Sequence, residues 1–224
     1  MYLKTDRIMR QTTFFSICLA ICLFLTGCES TIYNTLEKVG IHKRDILIDR
    51  IEDTQEAQQE GQEQFKSALE QFKSVVSFDG GELEKMYNRF NDEYEECEEA
   101  ANNISDHIDA VESVADALFE EWQEELTQYK SAELRNKSQQ QLRNTQSRYR
   151  KILSSMRQSE RAVRPVLAIL HDNVLYLKHN LNARAVGALK GELANIDREI
   201  ELLSKSMQQS IDESQRFIDS LGNP

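Results

Sequence analysis

The sequence predicts an all-α protein, built as an elongated antiparallel coiled coil with the up-down-up-down topology of a four-helix bundle. Strong helix formers dominate the 224 residues, which contain only two prolines. Apolar residues recur at alternating steps of three and four over long stretches, a pattern that indicates helices packed along one stripe. Glycine-rich and asparagine-rich stretches separate these runs, as expected where helices end.

The first 27 residues have the organisation of a secretory signal peptide. Lys4, Arg7 and Arg10 form a basic leader. The apolar run that follows, residues 12–25, is shorter than the roughly 20 residues that a membrane-spanning helix needs. We therefore expect residues 1–27 to be removed.

The segment that ends this leader, Leu25-Thr26-Gly27-Cys28, resembles the lipobox of bacterial lipoproteins. The resemblance implies that Cys28 carries diacylglycerol and becomes the mature N-terminus. Residues 28–34 would then be a lipidated tether, because several acyl chains on one residue give stable membrane attachment. The alternatives are an ordinary signal with an incidental cysteine, or an uncleaved helix.

The residue after the lipobox bears on localisation. Glu29 is not the aspartate that retains lipoproteins in the inner membrane of familiar Gram-negative systems. We therefore expect the lipid-anchored chain on the periplasmic face of the outer membrane in a Gram-negative cell envelope.

Processing would also determine the cysteine count and the charge. Cys18 and Cys22 leave with the leader and Cys28 is lipidated, so only Cys97 remains and no intrachain disulfide forms. Loss of three basic residues and one acidic residue moves the formal charge from −11 to −13. Such acidity argues against nucleic acid as a partner.

Two loop signals divide the single helical domain expected over residues 35–221. Paired glycines occur in "SFDGGE" and asparagines in "KHNLNAR", and a third break is inferred near residue 130. The expected helices are residues 35–77, 82–128, 132–179 and 183–220.

The second and third helices are expected to fold back on each other at residue 130. This register places Ile108 against Ile152 and Trp122 against Ser138. The outer two helices pack on this hairpin in the same antiparallel manner. The main alternative is that residues 131–220 stay one continuous rod.

The charge pattern favours the same hairpin. Residues 82–128 hold sixteen acidic and two basic side chains, whereas residues 130–180 hold eleven basic and three acidic ones. Opposite charges therefore flank one seam, and they select the register and the partner helix more than they add stability.

One layer of the core is expected to be polar. Gln58 and Gln62 of the first helix lie beside Gly61 and face Ile104 and Cys97 of the second helix. This arrangement predicts a hydrated, locally soft layer. Cys97 is expected to be buried and inert, as a small apolar residue.

No residue pattern identifies a reaction. His42, His107, His171 and His179 stand in no pairing typical of a metal site, and the paired Glu-x-x-His signatures of di-iron bundles are absent. We expect structural or solvent-facing histidines, no catalytic or metal-binding residues, no cofactor and no enzymatic activity.

The bundle end away from the tether gathers residues suited to a partner. Two loops meet there, and aromatic and cationic side chains are typical of interaction centres. The alternative is that these residues merely close the loops. The candidate residues are Phe78, Asp79, Tyr176, Lys178, His179, Asn180, Asn182 and Arg184.

Three stretches carry a family resemblance: "EKVGIHKRDILIDRIED", "QFKSALEQFKSVVSFDGGELEKMYN" and "VLYLKHNLNARAVGALKGEL". They resemble the helical bacterial lipoproteins grouped as domain-of-unknown-function family 2959. The resemblance covers nearly the whole mature chain and implies an all-helical fold in a Gram-negative setting. It implies no catalytic residues.

These features predict a lipid-anchored periplasmic structural or adaptor protein of the cell envelope. It would bind the membrane through its N-terminal lipid and present a surface to an envelope protein or the cell wall. The alternative is a carrier or regulator that binds an envelope lipid or a small molecule between loosened helices. The sequence identifies neither the partner nor the oligomeric state.

Overall fold

The computed structural model describes residues 42–78, 80 and 82–222. The chain divides into two compact units, Met1–Ile46 and Leu47–Pro224. Of the first unit only residues 42–46 are described, and they contain the start of the first helix. The expected signal peptide, Cys28, the tether, the domain start at residue 35 and Asp79 lie outside the described residues.

The described residues form helices and turns without any strand, which confirms the expected all-α fold. Three of the helices have 34 residues or more. The five helices are α1 (Lys43–Val76), α2 (Leu83–Leu126), α3 (Ala132–His179), α4 (Ala183–Leu189) and α5 (Leu193–Gly222).

Local sequence signals set the helix ends. The hydroxyl of Ser131 caps α3 by accepting a hydrogen bond from the Leu134 amide at 3.3 Å. In the α1–α2 loop, Gly80 has a φ of 147°, a backbone conformation that favours glycine. The break inferred near residue 130 and the break at "SFDGGE" therefore each have a local cause.

Helices α1 and α2 pack antiparallel. The rings of Phe72 and Phe90 lie 5.4 Å apart between centroids. Closer to the start of α1, the carbonyl oxygen of Gln64 accepts a hydrogen bond from the Cys97 thiol at 3.7 Å. Earlier residues of α1 thus contact later residues of α2, as an antiparallel pair requires.

Helices α2 and α3 form the expected hairpin. The indole Nε1–H of Trp122 donates to the hydroxyl of Ser138 at 2.8 Å, which is the pairing that the sequence predicts. Farther from the turn, Ser105 donates to the Glu160 carboxylate at 2.7 Å.

Helix α5 closes the bundle between α3 and α1. Its Phe217 ring packs on Tyr149 of α3, with 6.4 Å between centroids. Gln55 of α1 donates to the carbonyl oxygen of Ile211 at 3.0 Å. Because α3 and α5 pack against each other, the alternative of one continuous rod is wrong.

The direction of α5 follows from a second contact with α1. Lys73 lies 3.1 Å from Asp197, so later residues of α1 meet earlier residues of α5. The four long helices therefore alternate up, down, up and down around one core, which confirms the predicted topology.

The fourth expected helix, residues 183–220, is interrupted, and a single helix there was a wrong prediction. Residues 190–192 form a turn between α4 and α5. The amides of Gly191 and Glu192 bond to carbonyl groups three residues earlier, at 3.1 and 3.0 Å, which is tighter than an α-helix. Gly187 and Gly191 weaken the local helix propensity and account for the break.

The core follows the predicted seams. Burial of each large apolar side chain contributes about 1.5–3 kcal/mol to stability. The largest fully buried side chains are Leu47, Ile51, Phe65, Phe72, Phe90, Ile104, Ile108, Met156, Leu170, Leu177, Ile196 and Leu203.

The polar layer is present, but its partners differ from the prediction. Gln58 is fully buried, and its Nε2 donates to Ser159 at 2.7 Å and to Ser210 at 3.1 Å. These serines belong to α3 and α5, whereas the sequence pattern placed only residues of α2 opposite this layer. The Oε1 atom of Gln58 has no hydrogen-bond partner among the described residues. Hydration of this layer remains a prediction.

Candidate functional site

The α1–α2 loop and the α3–α4 loop lie at the same end of the bundle. This follows from the topology, because α1 and α3 run in the same direction and end at Val76 and His179. The end opposite to the point where α1 enters the compact unit therefore carries both loops that the sequence analysis selected.

Exposed apolar side chains concentrate at this end. Tyr176 is 41% exposed, Leu175 47% and Leu181 42%. These three are half of the large apolar side chains that are exposed in the described part of the chain. Such a concentration is typical of a surface that contacts another molecule.

Three basic side chains lie at the same end of the bundle as these apolar groups. Lys178, His179 and Arg184 are exposed. Their side chains form no ion pair or hydrogen bond with any other described residue. They are therefore available to an external partner. We call the surface formed by Leu175, Tyr176, Lys178, His179, Leu181 and Arg184 the tip patch.

The other predicted residues of this end have structural roles. The Asn180 side chain donates to the carbonyl oxygen of Tyr176 at 2.9 Å. Asn182 caps α4 by accepting from the amides of Arg184 and Ala185 at 3.0 and 3.1 Å. Phe78 is half-buried, and its amide donates to Val75 at 3.2 Å.

Leu175 and Leu181 were not among the residues predicted from the sequence. Leu175 is apolar but lies next to Val174 and two positions before Leu177, the buried seam residues of α3. An apolar residue off the seam is expected on the surface, and this signal would have identified it. Leu181 is a leucine inside a loop, which gives the same signal.

The histidines stand apart from one another. The exposed His171 packs its ring on Tyr94, with 5.7 Å between centroids, and His107 is half-buried. Within the described residues, no group of three or more His, Cys, Asp or Glu is placed to hold a metal ion.

Cys97 is fully buried, as expected. Burial raises the pKa of the thiol to about 12, and the nearby Glu93 and Glu96 carboxylates act in the same direction. The thiolate is the nucleophilic form of cysteine, so this side chain stays protonated and unreactive at neutral pH. Its position fits a packing role.

Arg157 of α3 forms ion pairs with three carboxylates. Its guanidinium lies 2.5 Å from Asp109 and 2.6 Å from Glu112 of α2, and 3.2 Å from Glu160 on its own helix. Partial burial lowers the pKa of Arg157, but the hydrogen bonds to Glu112, Asp109 and Glu160 outweigh this effect and keep it above its ordinary value. The cluster is a clamp between two helices.

None of the described helices is both long enough and apolar enough to cross a bilayer. The fold is that of an antiparallel all-α bundle, and its described residues place exposed apolar and cationic side chains at the end that carries the tip patch. The molecule is therefore a helical-bundle protein that exposes apolar and cationic side chains at the end carrying the tip patch.

The sequence profile of the family described as "Protein of unknown function (DUF2959)" matches residues 32–221. Because the match covers most of the chain, the chain belongs to this family, which confirms the resemblance found in the sequence. No curated protein and no solved structure matches the chain.

Proposed function

We propose that this chain is a lipid-anchored helical adaptor of the Gram-negative cell envelope. In this proposal Cys28 carries the lipid on the periplasmic face of the outer membrane, and the bundle presents the tip patch to an envelope protein or to the cell wall. The bundle acts as a spacer and a binding surface, without chemistry of its own.

The tip patch is the observation that supports the proposal. It combines exposed apolar side chains with cations that have no partner among the described residues, and aromatic and cationic groups concentrate at the centres of protein interfaces. Its position also fits, since α1 enters the compact unit at Leu47 and the patch lies at the other end of α1.

The test is crosslinking in intact envelopes with the substitutions Tyr176→Ser, Lys178→Glu and Arg184→Glu combined. These residues are exposed, so helix content and the thermal midpoint should stay close to wild type. We expect the crosslinked partner bands to disappear, and mass spectrometry of the wild-type bands would identify the partner.

A matched control lies at the opposite end of the bundle. Tyr129, Lys130 and Arg135 are also exposed, and the substitutions Tyr129→Ser, Lys130→Glu and Arg135→Glu change the same residue types by the same charge. This variant should keep the crosslinks. Crosslinks that persist in the tip variant, or vanish in both variants, would reject the tip patch as the binding site.

A further inference from the structure

A second surface of the bundle has properties that the adaptor role does not require. A surface groove of about 820 Å³ lies between α3 and α5. Residues 147–154 form one wall and residues 213–220 the other. We call it the basic groove, and its lining residues are Ser147, Arg148, Arg150, Lys151, Ile152, Ser154, Glu213, Arg216, Phe217 and Ser220.

The rim of the basic groove is cationic. Arg148, Arg150, Lys151 and Arg216 are exposed, and their side chains make no ion pair or hydrogen bond with another described residue. Glu213 is the one acidic residue of the lining, and it accepts a hydrogen bond from Gln209 at 3.0 Å. Four cations therefore face the groove with a single carboxylate among them.

The surrounding sequence reinforces this charge. Residues 134–159 contain seven basic residues and no acidic one, in a chain whose formal charge is −11. Residues 147–154 carry three basic residues and no acidic one, and residues 213–220 carry one basic and two acidic ones, so the two walls together have a formal charge of +2. An anionic ligand would be attracted to this wall of the bundle.

The interior of the basic groove is apolar. Ile152 and Phe217 lie at its floor, and carbon atoms make up most of its exposed lining. Phe217 rests on Tyr149, which in turn contacts Phe119 at 5.4 Å between ring centroids. The floor is therefore the outer surface of the packed core, while the arginine and lysine stems extend the apolar walls.

We propose that the basic groove binds one anionic phospholipid. The phosphate would lie between the guanidinium groups of Arg148 and Arg216 and the ammonium group of Lys151, and the first methylenes of the acyl chains would cover Ile152 and Phe217. Guanidinium groups bind phosphate oxygens through paired hydrogen bonds. The volume is in the range of small-molecule sites.

The position of the groove agrees with a lipid ligand, and this step rests on the proposed membrane tether. Gln55 of α1 contacts Ile211 of α5, so residues 213–220 lie beside still earlier residues of α1. The groove is thus near the end where α1 enters the compact unit at Leu47. Under the proposed function, the lipidated N-terminus precedes α1 in the chain.

An acidic helix of a partner protein is the competing occupant. The groove is about two helical turns long, and four cations lie around it. This short, concentrated positive charge suits a compact anionic head group. The carboxylates of a helix are spread along its length, so only part of them would reach the rim. The phospholipid is therefore the occupant that the geometry favours.

The test is calorimetric titration of the full chain, with Cys28→Ala to prevent acylation, using dihexanoyl phosphatidylglycerol below its micelle concentration. Dihexanoyl phosphatidylcholine and inorganic phosphate serve as comparison ligands. We expect binding of phosphatidylglycerol that is about tenfold tighter, or more, than binding of either comparison ligand. Equal affinity for phosphatidylcholine would overturn the proposal, and equal affinity for inorganic phosphate would reduce the groove to an anion site and overturn it as well.

Charge-reversal variants test whether phosphatidylglycerol binds in the groove. Arg148→Glu, Lys151→Glu and Arg216→Glu combined should weaken phosphatidylglycerol binding about tenfold or more. Arg161→Glu, Arg164→Glu and Lys190→Glu combined change the net charge equally at exposed positions outside the groove, and this variant should bind within about twofold of wild type. Unchanged affinity in the groove variant, or equal loss in both, would overturn the proposal.

Photocrosslinking with an anionic phospholipid that carries a photoreactive acyl chain gives a second readout. Labelled peptides should come from residues 147–154 and 213–220, and labelling confined to other peptides would contradict the site. Both measurements use unacylated protein in solution. They therefore fail or succeed independently of whether Cys28 anchors the chain and of whether the tip patch binds a partner.

Discussion

Packing around Gly61 leaves little room for a side chain. A Cβ atom built on Gly61 would lie 2.8 Å from Cδ1 of Ile104 and 3.7 Å from Cε of Met207. The Met207 distance is an ordinary van der Waals contact, but Ile104 is fully buried, so its terminal methyl group has to shift within a packed core to make room for the new atom. Gly187 offers a contrast, because a Cβ atom built there would meet no atom within 4 Å other than those of its chain neighbours and its own helix backbone. The absence of a side chain at Gly61 therefore allows α1 to approach α2 and α5 closely.

We predict opposite effects for the same substitution at these two positions. Gly187→Ala should raise the free energy of unfolding by about 0.5–1 kcal/mol, because alanine is the better helix former. Gly61→Ala should lower it by about 1 kcal/mol, because an overpacking cost of about 1–3 kcal/mol exceeds the same helix gain. Urea denaturation followed by circular dichroism measures both values.

The double variant Gly61→Ala, Ile104→Val is the control, because valine lacks the Cδ1 atom that meets the new methyl group. Its destabilisation should be smaller than the sum of the two single effects. If Gly61→Ala stabilises the protein as much as Gly187→Ala does, the close contact with Ile104 has no energetic importance.

The sequence predicted which residues lie in the core better than it predicted which of them contact one another. The spacing of apolar residues identified Gly61, Gln58 and Cys97 as neighbours of one buried layer. It did not identify Ser159 and Ser210 as the partners of Gln58, because a heptad pattern gives the inward face of each helix but not how several inward faces meet at one point.

Between elements, the α2–α3 hairpin depends on polar as well as apolar contacts. Arg157 connects α3 to Asp109 and Glu112 of α2 while only 25% of its side chain is exposed. Partial burial weakens screening by water and salt, so this clamp is expected to contribute more than the exposed ion pairs of the same helices.

We predict that Arg157→Ala lowers the free energy of unfolding by about 1–2 kcal/mol, because it leaves three carboxylates without their shared donor. Arg157→Lys should recover only part of this loss, since an ammonium group lacks the planar fork that reaches two carboxylates. Chemical denaturation at low and high salt measures the loss and its ionic component.

Arg161→Ala is the matched control, because Arg161 is exposed on the same helix and its side chain has no ion pair with a described residue. Its effect should stay within about 0.5 kcal/mol. Equal effects of the two substitutions would mean that the clamp contributes nothing beyond an ordinary surface arginine.

The elements themselves were largely predictable from the sequence. The register of α2 on α3 was expected from seam residues and charge, and the Trp122–Ser138 bond agrees with it. The turn at residues 190–192 was missed because the apolar spacing of Val186, Leu189 and Leu193 continues through it. Gly187 and Gly191 carried the opposing signal. The basic groove was not predictable, because it depends on the distance and rotation between α3 and α5.

For the whole molecule, the adaptor proposal depends on attachment at one end and binding at the other. Under this proposal the lipid on Cys28 keeps the mature chain on the membrane through a high-salt wash, since acylation supplies the membrane-binding apolar groups. The described helices offer no substitute that could span a bilayer.

We predict that Cys28→Ala releases the protein from the membrane fraction, as measured by immunoblotting of pellet and supernatant after a high-salt wash. The tip variant described above should remain in the pellet, because its substitutions leave Cys28 unchanged. Cys28→Ala protein that still pellets after the wash would contradict lipid attachment as the sole anchor.

The acidic α2 and the basic α3 stand side by side, so the bundle carries an electric dipole that points across its helix axes. Under the adaptor proposal, copies tethered to one surface by the same end would then not be free to rotate independently about those axes. The α2 wall of one copy would turn toward the α3 wall of the next. At about 0.15 M salt the Debye length is about 8 Å, so only copies in near contact would sense each other's orientation. Crowding on the membrane would thereby impose an azimuthal order that dilute protein lacks.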